Sequence, residues 1–275
     1  MTEAHVATPF YQAHEEIPTI ASHVIADVGV FSIANTTTTI VLIGLIFAVV
    51  ALVVARFKLI PNRVQHFFEI VYEAILGFVS SVVGNKEKGK KIVPYVGAVM
   101  VYLIVANLLP MIPGIASFYI TTESGEHVQL FRGATTDFNT TFGLALAAVL
   151  VMQYFGMKEQ GVFGYLSHFI QIKQVIQGFR KGLGAGLVAC VGFLVGLIEI
   201  ISEFAKMASL SLRLFGNLFA HEVLTVVLLG VFAFGLPAIW MGMGVLVGIV
   251  QGIVFTALIT VYYSLILKKE GKDSH

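Results

Sequence analysis

The chain has 275 residues, 57% of them hydrophobic and only 12% charged, with a mean hydropathy of +0.89. A soluble domain carries about 25% charged residues, so this composition excludes one and points to an integral membrane protein. The net charge of +1 decides nothing, because the information lies in where the charges sit.

Residues 1–38 contain Glu3, Glu15, Glu16 and Asp27 but no Lys or Arg; the first basic residue is Arg56. With neither a basic leader nor an Arg-rich transit segment, this stretch reads as an extramembrane tail. A helical span needs about 20 apolar residues. Runs of that kind lie at 39–55, 92–109, 138–157, 183–230 and 237–267. Between the first two, residues 61–84 open on Pro61 and alternate Phe67, Phe68, Val71, Ile75 and Phe78 with Arg63, Gln65, His66, Glu69 and Glu73. That pattern predicts an amphipathic helix lying along the interface. The second span should end at Asn107-Leu-Leu-Pro110-Met-Ile-Pro113-Gly114, because two prolines cannot continue a helix.

Basic residues test this division. The tail has none, 56–91 has seven, 110–136 has one, 158–181 has four, the turn near Gly235 has none and the C-terminus has three. The alternation follows the positive-inside rule and places the N-terminus outside and the C-terminus inside. The expected architecture is an all-α membrane protein. It has five membrane helices plus the interfacial helix, and residues 39–275 form one membrane domain. A fourth element of about 48 residues would reach roughly 70 Å, more than twice the hydrocarbon thickness, so it must break or tilt. In the fifth, Gly244, Gly248 and Gly252 recur every fourth residue and make a face for close packing. The last two elements are therefore expected to form a long tilted hairpin.

Only Lys206 and Arg213 remain among the basic residues within spans. A charge there costs roughly 2.5–3.5 kcal/mol on insertion scales, and a guanidinium cannot shed it by losing a proton. At about 100° per residue, Glu199, Ser202, Glu203, Lys206, Arg213, Asn217 and His221 fall within roughly 60° of one meridian, while Glu222 projects the other way. Given the orientation, Glu199 and Glu203 lie toward the inside and His221 and Glu222 toward the outside. Titratable groups on both sides of a fixed cation describe two half-paths separated by an electrostatic barrier. Blander readings stand beside this one. Glu203 and Lys206 form an i,i+3 pair that suits a salt bridge. Glu199 could merely cap the stripe, and Asn217 could serve helix packing. No acid on this chain shares the meridian of Arg213 at i±3 or i±4, so its partner is expected from elsewhere.

Other chemistry is missing. The sequence has no phosphate-binding loop, no metal-ligand spacing and no nucleophile–base set, so no catalytic residue, metal or cofactor is expected. Gly182-Leu-Gly184-Ala-Gly186 reads as helix packing, the single Cys190 as a small buried hydrophobe, and His66, His127 and His168 as isolated.

The segment Arg213-Leu-Phe-Gly-Asn217, followed by Glu222 and by Gln251 on the next helix, closely resembles the subunit a family of the F-type ATP synthase membrane sector. The likeness extends more loosely from the helix after Pro61 through Asn107-Leu-Leu-Pro110 and Asn139-Thr-Thr141 to the C-terminus. It implies a non-catalytic proton-channel subunit beside a rotating ring of c subunits, assembled with b subunits; the absent transit signal and the single cysteine favour a bacterial plasma membrane. An organellar inner membrane is the alternative location, and no nucleic acid is involved. The resemblance makes Arg213 the essential arginine facing the ring carboxylate. It assigns Asn217, Glu222 and Gln251, with His221, to the outer half-channel, and Glu199 and Ser202 to the inner one, where Glu203 and Lys206 also lie. Many relatives have Gly before the helix-four acid and His seven residues before the helix-five Gln; here His221 and Gly244 occupy those places. The alternative class, an ion-coupled secondary transporter with an intramembrane Arg/Glu site, would show internal repeats, and none is evident.

Overall fold

The computed structural model describes residues 24–28, 31–57, 62–112, 114–115, 118–121, 127–161, 183–232 and 235–273. Pro61, Pro113, His168 and the basic residues of the 162–182 stretch lie outside them, as does the tail before Val24.

Six helices dominate the described residues: α1 (Asn35–Val54), α2 (Arg63–Val83), α3 (Lys86–Leu108), α4 (Phe138–Gln160), α5 (Leu183–Val231) and α6 (Leu236–Asp273). All six contain a stretch long and apolar enough to cross a membrane. The protein is thus an all-α, multi-pass membrane protein. Two small antiparallel hairpins are added that the apolar runs do not signal. β1 (Val24–Val28) pairs with β2 (Phe31–Ala34) just before α1, and β3 (Tyr119–Thr121) pairs with β4 (His127–Gln129) between α3 and α4.

Helix ends follow local chemistry. Asn62 caps α2 by accepting from the Val64 N–H at 3.1 Å, and Asn85 caps α3 by accepting from Glu87 and Lys88 at 3.0 and 3.2 Å. The second cap starts α3 at Lys86, so the lysine-rich stretch 86–91 is helical rather than a loop. Gly84, at φ 74°, ends α2 in the left-handed region that a side chain disfavours. Only Gly84 and Asn85 then separate α2 from α3. α2 folds back on its neighbour, with Ser80 against Gly89 and Ile75 against Gly97. It buries Gln65, Ile75 and Val79, and Phe67 turns outward at 62% exposure beside Ile70 and Tyr72.

α3 and α6 form the centre. Ile92, Val96 and Leu103 share one cluster with Phe255, Ile259 and Tyr263, joined by Ala145 and Met152 of α4 and by Leu210, Leu214 and Leu218 of α5. Lipid is as apolar as these side chains, so close van der Waals fit is what selects this packing. The glycine face of α6 provides that fit, and it receives α3 more than α5. A Cβ on Gly248 would stand 3.1 Å from Asn107 Cβ, and one on Gly252 would stand 2.8 Å from Ile104 Cγ1. α5 is one unbroken helix of 49 residues, about 74 Å at the standard rise. It therefore does not break.

Candidate functional site

Arg213 stands on an exposed face of α5, with Ala205, Ser209, Leu212, Gly216, Asn217 and Ala220 exposed around it. These are mostly small residues, so the guanidinium rises from a smooth strip that another helix could approach closely. Among the described residues no carboxylate lies within ion-pair distance of it. At 1.5 Å per residue, Glu222 lies about 14 Å along the axis on one side and Glu199 about 21 Å on the other.

On the Glu222 side, polar contacts knit α5 to α6. The Asn217 amide donates to Gln251 Oε1 at 2.8 Å, and Gln251 is itself buried. One helical turn on, the His221 ring stacks on Trp240, with centroids 5.4 Å apart and planes inclined by 10°. His221 Nε2 lies 3.2 Å from the Trp240 carbonyl, and Trp240 Nε1 donates to the His221 carbonyl at 3.3 Å. A carbonyl only accepts, so Nε2 carries the hydrogen in that contact. A Cβ on Gly244 would collide with Nε2 and Cε1 of the same ring and approach Cδ2 to 3.0 Å. The imidazole on α5 and a side chain at position 244 therefore compete for one space, as the His221/Gly244 exchange requires.

Glu222 faces elsewhere. Its carboxylate accepts from Arg132 through Nε to Oε1 at 3.1 Å and a second guanidinium nitrogen to Oε2 at 3.3 Å. Arg132 is buried at 4% exposure, in the segment between α3 and α4. In sequence terms it counted only as the lone basic residue of 110–136. Its signal was that Glu222 points away from every other charge of its own helix. No charge or periodicity in the sequence singles out Trp240, Asn107 or Thr135 as site residues either. Asn107 donates to the Gly248 carbonyl at 3.0 Å and accepts from Thr135 Oγ1 at 2.9 Å, linking α3, α6 and the same segment.

On the Glu199 side, Lys206 and Glu203 form the expected i,i+3 ion pair at 2.5 Å. Gln153 of α4 donates to the other Glu203 oxygen at 2.9 Å, and the Lys206 ammonium lies 5.3 Å from the Tyr262 ring centroid. This cluster ties α4, α5 and α6 together. Ser202 donates to the Ile198 carbonyl of its own helix at 2.9 Å, and Glu199 is half-buried.

Such a bundle, with a fixed cation exposed on its longest helix and acids on either side of it along that helix, is that of a membrane protein built to handle ions. Residues 36–264 match the sequence model of the ATP synthase A chain family. The chain is 36% identical over 223 residues to ATP synthase subunit a of Desulforamulus reducens, covering 78% of this chain and 71% of that one. It is 33% identical over 229 residues to the Desulfotalea psychrophila subunit a, covering 83% and 82%. With the Trichlorobacter lovleyi subunit a it shares 30% identity over 239 residues, covering 86% and 87%. The chain belongs to the ATP synthase A chain family.

Proposed function

We propose that this chain is the proton-channel subunit of a rotary ATP synthase membrane sector, in a bacterial plasma membrane like those of its relatives. It catalyses no bond chemistry. It supplies two half-channels to a ring of c subunits and couples proton flow to the ring's rotation. The observation that carries this reading is Arg213, exposed on a small-residue face of α5 with no carboxylate in reach among the described residues. A carboxylate arriving from a ring helix on that face would be favoured in its ionised form beside the guanidinium. Leaving for the lipid requires it to be neutral, because a bare charge in hydrocarbon is too costly. It must therefore release its proton on one side of Arg213 and take one up on the other, and turning becomes coupled to transport. The same cation opposes a straight leak between the half-channels.

Asn217, His221, Glu222 and Gln251 are assigned to the outer half-channel, and Glu199, Ser202, Glu203 and Lys206 to the inner one. Gly244, Gly248 and Gly252 serve helix packing. α1, α3, α4, α5 and α6 cross the membrane, and α2 lies along the cytoplasmic interface. Basic residues flank both ends of α2, with Arg56 and Lys58 before it, Arg63 opening it, and Lys86, Lys88, Lys90 and Lys91 after it. A crossing α2 would put one of those groups outside, against the positive-inside rule. The N-terminus is then outside and the C-terminus inside.

Purification tests the assignment. The chain should bring with it a ring of small hairpin proteins and the b subunits, and the reconstituted complex should acidify vesicles when given ATP. Isolation as a self-sufficient homo-oligomer that transports without a ring would sink the proposal. Repeating the acidification with varied sodium identifies the ion; the proton assignment expects pumping without sodium.

A further inference from the structure

The segment between α3 and α4 is stitched into the bundle by polar contacts on four sides. Thr38 and Thr39 of α1 donate to the Leu130 and Arg132 carbonyls at 2.5 and 2.7 Å. Thr36 donates to Asp137 Oδ2 at 3.3 Å, while Asp137 Oδ1 caps α4 by accepting from the Asn139 N–H at 3.0 Å. Thr135 reaches α3 and, through Asn107, the backbone of α6. Arg132 closes the fourth side by gripping Glu222 on α5.

We propose that Arg132 is a positioning residue of the outer half-channel: it holds the Glu222 carboxylate in one place and rotamer, and the threonine-anchored strap holds Arg132. This rests on the proton-channel reading above. The fork takes up one acceptor direction on each carboxylate oxygen, which fixes the plane of the group as well as its location. The backbone that carries the fork is fixed in turn, since the carbonyl of Arg132 itself accepts from Thr39. Arg132 is buried, whereas Glu222 keeps 25% of its side-chain surface, so the carboxylate remains approachable from the half-channel while the clamp is sheltered from water. Misplacing a reacting group by about an ångström can cost on the order of a hundredfold in rate, so orientation of this kind has a measurable effect.

The test uses the assembled complex in vesicles and reads ATP-driven pumping per assembled complex for Arg132→Gln, Arg132→Lys and the pair Arg132→Gln with Glu222→Gln. Modification of Glu222 by a water-soluble carbodiimide, read by peptide mass spectrometry, reports whether the carboxylate is held. Arg132→Gln should pump about tenfold more slowly, within the range that misplacement explains, with Glu222 modified several-fold more than in the parent. Arg132→Lys, which keeps the charge but not the fork, should fall between the two. The pair removes both charges of the bridge together, so it should assemble and still pump slowly.

A pair that pumps like the parent would show the bridge to be structural only and overturn the proposal. So would Arg132→Gln with unchanged pumping and unchanged Glu222 modification. If Arg132→Gln does not assemble, the lysine variant and the pair decide the question alone. Arg213→Ala is the control for the underlying assignment. If it pumps, the channel reading fails; if it is inactive while every Arg132 variant is normal, only the clamp fails.

Discussion

Arg213→Ala should abolish ATP-driven acidification while the chain still inserts and assembles. The side chain is exposed in the subunit and makes no ion pair with the described residues, so its removal takes away no internal support. The fold depends instead on the buried Leu210, Leu214 and Leu218 of α5, which the substitution leaves alone. What disappears is the fixed charge that makes a visiting carboxylate give up its proton and keeps the half-channels apart. Arg213→Lys should also fall close to background. An ammonium on a shorter reach is a point charge that can be neutralised, and it cannot reproduce a planar guanidinium that stays protonated. Vesicle acidification, measured with the recovery of chain and partners, checks both variants. Normal pumping by either would remove Arg213 from the centre of the mechanism.

The next largest effect is expected at the imidazole. His221→Ala should slow pumping by roughly tenfold, equivalent to about 1.4 kcal/mol on the barrier. The variant also empties the space between α5 and α6 that the ring occupies against Trp240. Adding Gly244→His should restore a measurable part of the lost rate. The Cβ at position 244 points straight at the imidazole of the parent protein, so a histidine there projects into the vacated space from the facing helix. Gly244→His alone should be worse than either, because two rings cannot share that volume. The four proteins make a double-mutant cycle whose coupling has a predicted sign. A double variant no better than His221→Ala, with assembly intact, would return His221 to a purely packing role.

The contrast between Arg213 and Arg132 explains what the sequence discloses. Helices could be read because span-length apolar runs have few alternatives: α1, α3, α4, α5 and α6 all begin and end within a few residues of those runs. The exceptions are the lysine-rich first turns of α3, which Asn85 caps into a helix, and the end of α6, which continues past its apolar run to Asp273. Arg213 was conspicuous for the same reason, since a charge within an apolar run violates the pattern around it. Arg132 violates nothing locally. Its burial arises because its segment folds back onto a glutamate 90 residues later in the chain, and no periodicity records such a contact. The glycine repeat of α6 shows the same limit, since spacing announces a face for close packing but does not say which helix will use it. α3 takes most of it, and only Gly244 meets α5. The β-hairpins leave no mark in the sequence, because strands of three to five residues carry too little alternation to distinguish them from loop.

Sidedness of water access along α5 tests the central claim most directly. In a background with the single Cys190 replaced, Ser202→Cys samples the stripe beside Glu199, and Asn217→Cys samples it toward Glu222. Two half-channels separated by Arg213 predict that a membrane-impermeant maleimide reaches Cys at 202 only from the cytoplasmic face and Cys at 217 only from the outer face. Labelling of both positions from the same face would contradict the two-path account.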